Sequence, residues 1–159
     1  METCWNVTIK DTSPLIKYFP YADGDAQGWT GVFREGNRVI NTVTVGIGDS
    51  QHVTGGQAFA QIAFNGESRP SNKPNQLNQL FPQGTAIYLN GATMGNMQYQ
   101  VELDGQVFAG RPNGPVLASF TNLSGQREHT LLLRSKPQAS GDWLALQSAI
   151  ITVGTGLTG

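Results

Sequence analysis

Short segments of alternating apolar and polar residues, cut again and again by turns, constrain this chain more than any other feature. Trp5, Val7 and Ile9 alternate with Asn6, Thr8 and Lys10, the period-2 pattern of a half-buried strand. Leu15 to Phe19 follows, started by Pro14, and a Val- and Thr-rich run covers residues 38–46. Ala58 to Phe64 puts Phe59 on one face and Ile62 and Phe64 on the other. Ala86 to Leu89 is a further run. Tyr99, Val101 and Leu103 alternate with Gln98, Gln100 and Glu102 and lead into Asp104-Gly105 and Val107-Phe108. That order spells a hairpin, because Asp-Gly accepts the positive φ angles of a type I′ turn. Val116 to Phe120, His129 to Ser135 and Trp143 to Val153 complete about nine or ten strands. No stretch carries a sustained helical period. Many short strands with frequent turns predict an all-β fold, a two-sheet antiparallel jelly-roll-type sandwich over 1–153 with a glycine-rich linker or tail at 154–159.

Composition supports this and excludes several functions. The chain has 159 residues, of which 20 are Gly and 8 Pro, and charged residues make up only 13%. Its polarity comes from amides, 11 Asn and 13 Gln against 10 basic and 11 acidic residues. A net charge of −1 with no Lys/Arg run gives no electrostatic footprint for nucleic acid. No apolar stretch reaches the roughly 18 residues that would insert in a membrane. Cys4 is the single cysteine and forms no internal disulfide. Asn6-Val7-Thr8 and Asn122-Leu123-Ser124 are N-glycosylation sequons, with Asn122 in a turn and Asn6 on the polar side of a strand.

The order of motifs resembles a family of fungal extracellular domains with a galactose-binding-like sandwich. The matching stretches are 6–18, 58–66, 84–91, 99–105, 129–133 and 142–146. The family-like pattern runs from Phe64-Asn65-Gly66 almost directly into Gly84-Thr85, and this chain carries an insertion of residues 67–83 there. The resemblance implies the sandwich fold and a secreted or cell-surface setting. It carries over no binding residue.

Catalytic and metal signatures are thin. Gly48-Asp49-Ser50 resembles the nucleophile block of one esterase class, but a serine nucleophile needs a histidine base. Only His52 and His129 exist, and His129 sits in Arg127-Glu128-His129-Thr130 without the Asp-x-x-His spacing that class uses near its C-terminus, so the chain is read as a non-enzyme. Asp23-Gly24-Asp25-Ala26-Gln27-Gly28 looks like half a calcium loop, with Arg34 where a closing Glu belongs and Glu35 one residue late. An acidic turn is the favoured reading, and no cofactor is expected. Two segments read as long loops, Tyr21 to Asn37 and Gly66 to Gly84. Trp5 and Trp143 lie in apolar strand patterns and are read as core, whereas Trp29 sits in the Gly-rich first loop. An indole exposed there would offer a stacking surface for the apolar face of a sugar; an indole folded back would plug the end of the sandwich.

The sequence thus predicts a lectin-like module binding carbohydrate, free or on glycoproteins, through end loops. The candidate ligand-binding residues are Tyr21, Asp23, Asp25 and Trp29 in the first loop and Arg69, Asn72, Asn75 and Asn78 in the second. The alternative is an extracellular structural or adhesion domain making protein contacts or a homo-oligomer. Leu77, Leu80 and Phe81 in the insertion would serve that alternative if they face outward.

Overall fold

The computed structural model describes residues 4–20, 28–35, 38–40, 49–65, 86–124 and 127–154. Twelve strands form within them: β1 Cys4–Lys10, β2 Ile16–Phe19, β3 Thr30–Glu35, β4 Arg38–Ile40, β5 Asp49–Thr54, β6 Phe59–Asn65, β7 Ala86–Met94, β8 Gln98–Leu103, β9 Gln106–Ala109, β10 Val116–Phe120, β11 Glu128–Lys136 and β12 Trp143–Gly154. They build a seven-stranded sheet in the order β10-β7-β12-β5-β3-β4, with β1 also on β12, and a five-stranded sheet in the order β2-β6-β11-β8-β9. All pairings are antiparallel. The chain passes repeatedly between the sheets, so the molecule is the two-sheet sandwich that the period-2 pattern predicts.

Alternation places the core between the sheets. In β11 and β6, Leu131, Leu133, Ile62 and Phe64 point inward; from the other sheet come Ile87, Leu89, Leu144, Leu146 and Ile151, and all nine are at most 1% exposed. Burying each such side chain stabilises the fold by about 1.5–3 kcal/mol. Tyr99 ties the layers together: from β8 its hydroxyl donates to the Leu117 carbonyl of β10 at 2.7 Å, and burial pushes its pKa up to about 12. The Asp104-Gly105 hairpin forms as read. Both residues have positive φ, 51° and 86°, and Leu103 faces Gln106 across the turn. Strand β12 runs to Gly154.

Two strands fall where loops were expected or no strand was read. β3 lies inside the predicted Tyr21–Asn37 loop, and β5 begins in Gly48-Asp49-Ser50. Their inward positions explain the miss. Gly31 of β3 pairs with His52 of β5, and His52 pairs in turn with Leu146 of β12. At this place the sandwich interior is lined by glycine and polar side chains, so the apolar half of the alternation is missing from the sequence.

Strand β12 positions the site. Its first half, Leu144 to Leu146, pairs with β5, and its second half, from Ser148 onward, pairs with β1 on the same side. The handover comes at Gln147, where the register against β7 slips between Leu146 and Ser148. This is a β-bulge, one extra residue in one strand. Leu144 and Leu146 face inward before it, Ala149 and Ile151 after it, so the inward phase changes by one residue. Gln147 and Ser148 are the two residues between these inward sets, and Gln147 is exposed.

Candidate functional site

On the far side of the seven-stranded sheet from the main core, the outward residues of β12, β7, β5 and β3 line a groove of about 590 Å³. Its floor is apolar. Val32, Val53 and Ala145 form a small second cluster, each 8% exposed or less, because Ala145 lies between the inward Leu144 and Leu146 and faces Val53 across the ladder. At one end stand Trp143 and Met94, paired across β12 and β7 and 37% and 64% exposed. Polar groups line the other end: Lys10 from β1, Gln51 from β5, and Gln147 with Ser148 at the bulge. The Gln147 side-chain amide lies 3.4 Å from the Gln51 amide oxygen, bridging β12 and β5. The groove therefore offers an apolar floor, a half-open indole and a set of amide, hydroxyl and ammonium groups that can donate and accept hydrogen bonds.

A buried polar clamp fixes the polar end. Asp11 follows β1 directly, is 1% exposed, and its amide donates to the Gln147 carbonyl at 3.1 Å. Its carboxylate accepts from the Ser50 hydroxyl on one oxygen and contacts His52 Nδ1 at 2.8 Å on the other. The Tyr18 hydroxyl donates to the Asp11 carbonyl oxygen at 2.7 Å, and the Tyr18 ring stacks on His52 with centroids 4.0 Å apart. These contacts join the end of β1 to β5 and β2, and so set where Lys10 and Gln51 stand. A serine nucleophile is activated when the imidazole stands between hydroxyl and carboxylate. Here the carboxylate stands between hydroxyl and imidazole.

The structure decides between the two readings of Trp29 and reverses that of Trp143. Trp29 is not an exposed stacking surface: it is 0% exposed, packs against Tyr18 at a centroid distance of 5.3 Å, and belongs to the main core. Among the described residues its indole N–H finds no acceptor. Trp143, read as core, opens the groove. The signal was present in the parity of β12, because Leu144 and Leu146 inward leave Trp143, Ala145 and Gln147 outward. The adjacent polar pair Gln147-Ser148 within an apolar run likewise marks a bulge. Of the other candidate binding residues, Tyr21, Asp23, Asp25, Arg69, Asn72, Asn75 and Asn78 lie outside the described residues, as does the insertion with Leu77, Leu80 and Phe81. The two sequon asparagines are both exposed; Asn6 accepts from the Thr152 hydroxyl at 2.8 Å, and Asn122 has a φ of 57°.

Two aspartates elsewhere are held below the ordinary carboxylate range. At Asp104, burial pushes upward, but the His129 hydrogen bond, the Thr130 amide and the charges of His129 and Arg127 outweigh it. Asp142, beside Trp143, accepts from the amides of Asn96, Gln138 and Ala139, and these bonds outweigh its desolvation. It organises the turn that starts β12. Among the described residues, no three His, Cys, Asp or Glu side chains gather to hold a metal ion.

No protein-family model matches the chain, and no curated protein sequence does. Among solved structures, a family two carbohydrate esterase from Cellvibrio japonicus is similar, with a TM-score of 0.57 at 10% identity. The alignment covers 95% of this chain and 34% of that one, so the chain spans about a third of that protein. At this identity the likeness is one of fold.

Proposed function

We propose that this chain is a non-catalytic carbohydrate-binding module, and that its ligand lies along the outer groove of the seven-stranded sheet. The observation that carries the reading is the pairing, in one groove, of the exposed Trp143 with an apolar floor and the polar end formed by Lys10, Gln51 and Gln147. A sugar has one face rich in C–H groups and a rim of hydroxyls. An aromatic ring suits the first, and groups that both donate and accept suit the second. The solved structure with a similar fold is that of a carbohydrate esterase, which agrees with a carbohydrate setting. The site moves from the end loops to the sheet, where strands hold side chains more rigidly than loops do. Affinity electrophoresis through gels containing soluble polysaccharides tests the reading. Retarded migration that Trp143→Ala abolishes supports it, and unretarded migration in every gel refutes it.

A second reading rests on the opposite edge of the molecule. Strand β9 is an edge strand, with Val107 54% and Phe108 37% exposed and Phe108 in edge-to-face contact with Phe120 of β10. An apolar edge of this kind favours strand-to-strand association, as in an adhesion domain. Concentration-dependent mass by light scattering that Val107→Lys abolishes would support this reading. For the extracellular setting, the measurement is secretion from eukaryotic cells with a glycan on the exposed Asn122.

A further inference from the structure

We infer that the groove selects an anionic saccharide, whose ring stacks on Trp143 while a carboxylate or sulfate on the same chain meets Lys10. The inference rests on the carbohydrate reading above and concerns which sugar that site takes. Among the described residues that line the groove, Lys10 carries the only charge, and no acid joins it. This is a local feature, because the whole chain has one more acid than base, 11 against 10.

The acids next to each end of the groove are turned away from it. Asp11 adjoins Lys10 in sequence, but its carboxylate is 1% exposed and held by Ser50 and His52. Asp142 adjoins Trp143, is 3% exposed, and is taken up by three backbone amides. Lys10 is exposed and has no ion-pair partner among the described residues. A neutral ligand would need only amides and hydroxyls, and Gln51, Gln147 and Ser148 already supply those. The unpaired ammonium adds charge-assisted bonding to an anionic oxygen, roughly twice as strong as a neutral hydrogen bond.

Distance along the sheet fits an oligosaccharide. Lys10 pairs with Ser148, five positions beyond Trp143 on β12. At about 3.3 Å per residue, stacking and charge recognition stand roughly 15 Å apart. A single hexose does not span that length. The ligand is therefore a chain in which a ring on Trp143 precedes an acidic unit at Lys10.

Titration calorimetry on the intact chain would use an oligogalacturonate, the same oligosaccharide fully methyl-esterified, and a sulfated galactan oligosaccharide. We expect the free acid or the sulfated chain to bind about tenfold tighter than the neutral ester, with the preference shrinking as salt is raised. Lys10→Gln should erase the preference, and Trp143→Ala should weaken the charged and neutral ligands alike. The charged arm that binds tighter identifies carboxylate or sulfate as the recognised group. Equal binding of ester and acid, or an undiminished preference in Lys10→Gln, overturns the inference while the carbohydrate reading stands. Absence of binding in all three arms overturns the inference, and affinity electrophoresis decides the carbohydrate reading separately.

Discussion

Replacing Trp143 and Trp29 separately should divide binding from folding. Trp143 is 37% exposed. A tryptophan buries up to about 250 Å², so this exposure leaves roughly 90 Å² for a ligand to cover. At about 25 cal/mol per Å², full cover would contribute ~2 kcal/mol. Ordering costs on association reduce the yield, so Trp143→Ala should weaken binding by about 1–2 kcal/mol, a loss of roughly five- to thirtyfold. Its effect on stability should be small beside that of Trp29→Ala. Trp29 is fully buried, and truncating it removes a core indole at about 3–5 kcal/mol, slightly relieved by loss of its unpartnered N–H. Affinity electrophoresis gives the first quantity and urea unfolding the second. The reasoning is refuted if folded Trp143→Ala migrates like the parent in a retarding gel, or if Trp29→Ala leaves the unfolding midpoint unchanged.

Asp11→Ala strips the polar clamp of both carboxylate oxygens, leaving the Ser50 hydroxyl and His52 Nδ1 without that partner, and should cost about 2–5 kcal/mol in urea unfolding; a loss under about 1 kcal/mol would show that water replaces the carboxylate. Gly91→Ala puts a Cβ against the Ala145 carbonyl oxygen and 2.7 Å from Leu117 Cδ1, so it should lower stability by about 3 kcal/mol or more. Gly105→Ala, at φ 86° with open space around it, should cost about 1 kcal/mol, and equal melting points for the two variants would contradict the packing. Asp104 binds its proton less readily in the folded than in the unfolded chain, so its contribution is complete above about pH 4 and fades as pH falls through the lowered folded value. Stability measured from pH 5 down to pH 2 should fall less steeply in Asp104→Asn, and parallel curves would exclude Asp104 as a cause.

What the sequence revealed and what it hid follow from the same alternation. Strands such as β8 and β11 bury every second side chain in an apolar core, so Tyr99, Val101 and Leu103, or Leu131 and Leu133, announce themselves. The Asp104-Gly105 turn is equally plain, because few residue pairs tolerate two positive φ angles. β5 was hidden because its inward Ser50 and His52 are satisfied by hydrogen bonds to Asp11, a partner 39 and 41 residues away in sequence that no local pattern reports. Trp29 was misplaced for a related reason. Gly28 on one side and Gly31 on the other suggest an open loop, yet Gly28 is there because a Cβ would strike Pro20, and Gly31 lies within strand β3 at ordinary contact distance from His52. Close approach, not looseness, is what Gly28 provides.

The bulge at Gln147 behaves like a frameshift in a two-letter code. Upstream of it even-numbered residues of β12 spell the interior, and downstream odd-numbered ones do. Deleting Gln147 would erase the frameshift and leave a regular strand. Leu146, Ser148 and Ala149 would then alternate in, out, in, so Ala149 and Ile151 would keep their places in the core while the groove lost one of its two consecutive outward side chains. The groove sits where the two reading frames meet, at the handover from β5 to β1. The groove therefore owes its second consecutive outward side chain to one inserted residue, which adds a polar group without disturbing the alternation of the core on either side.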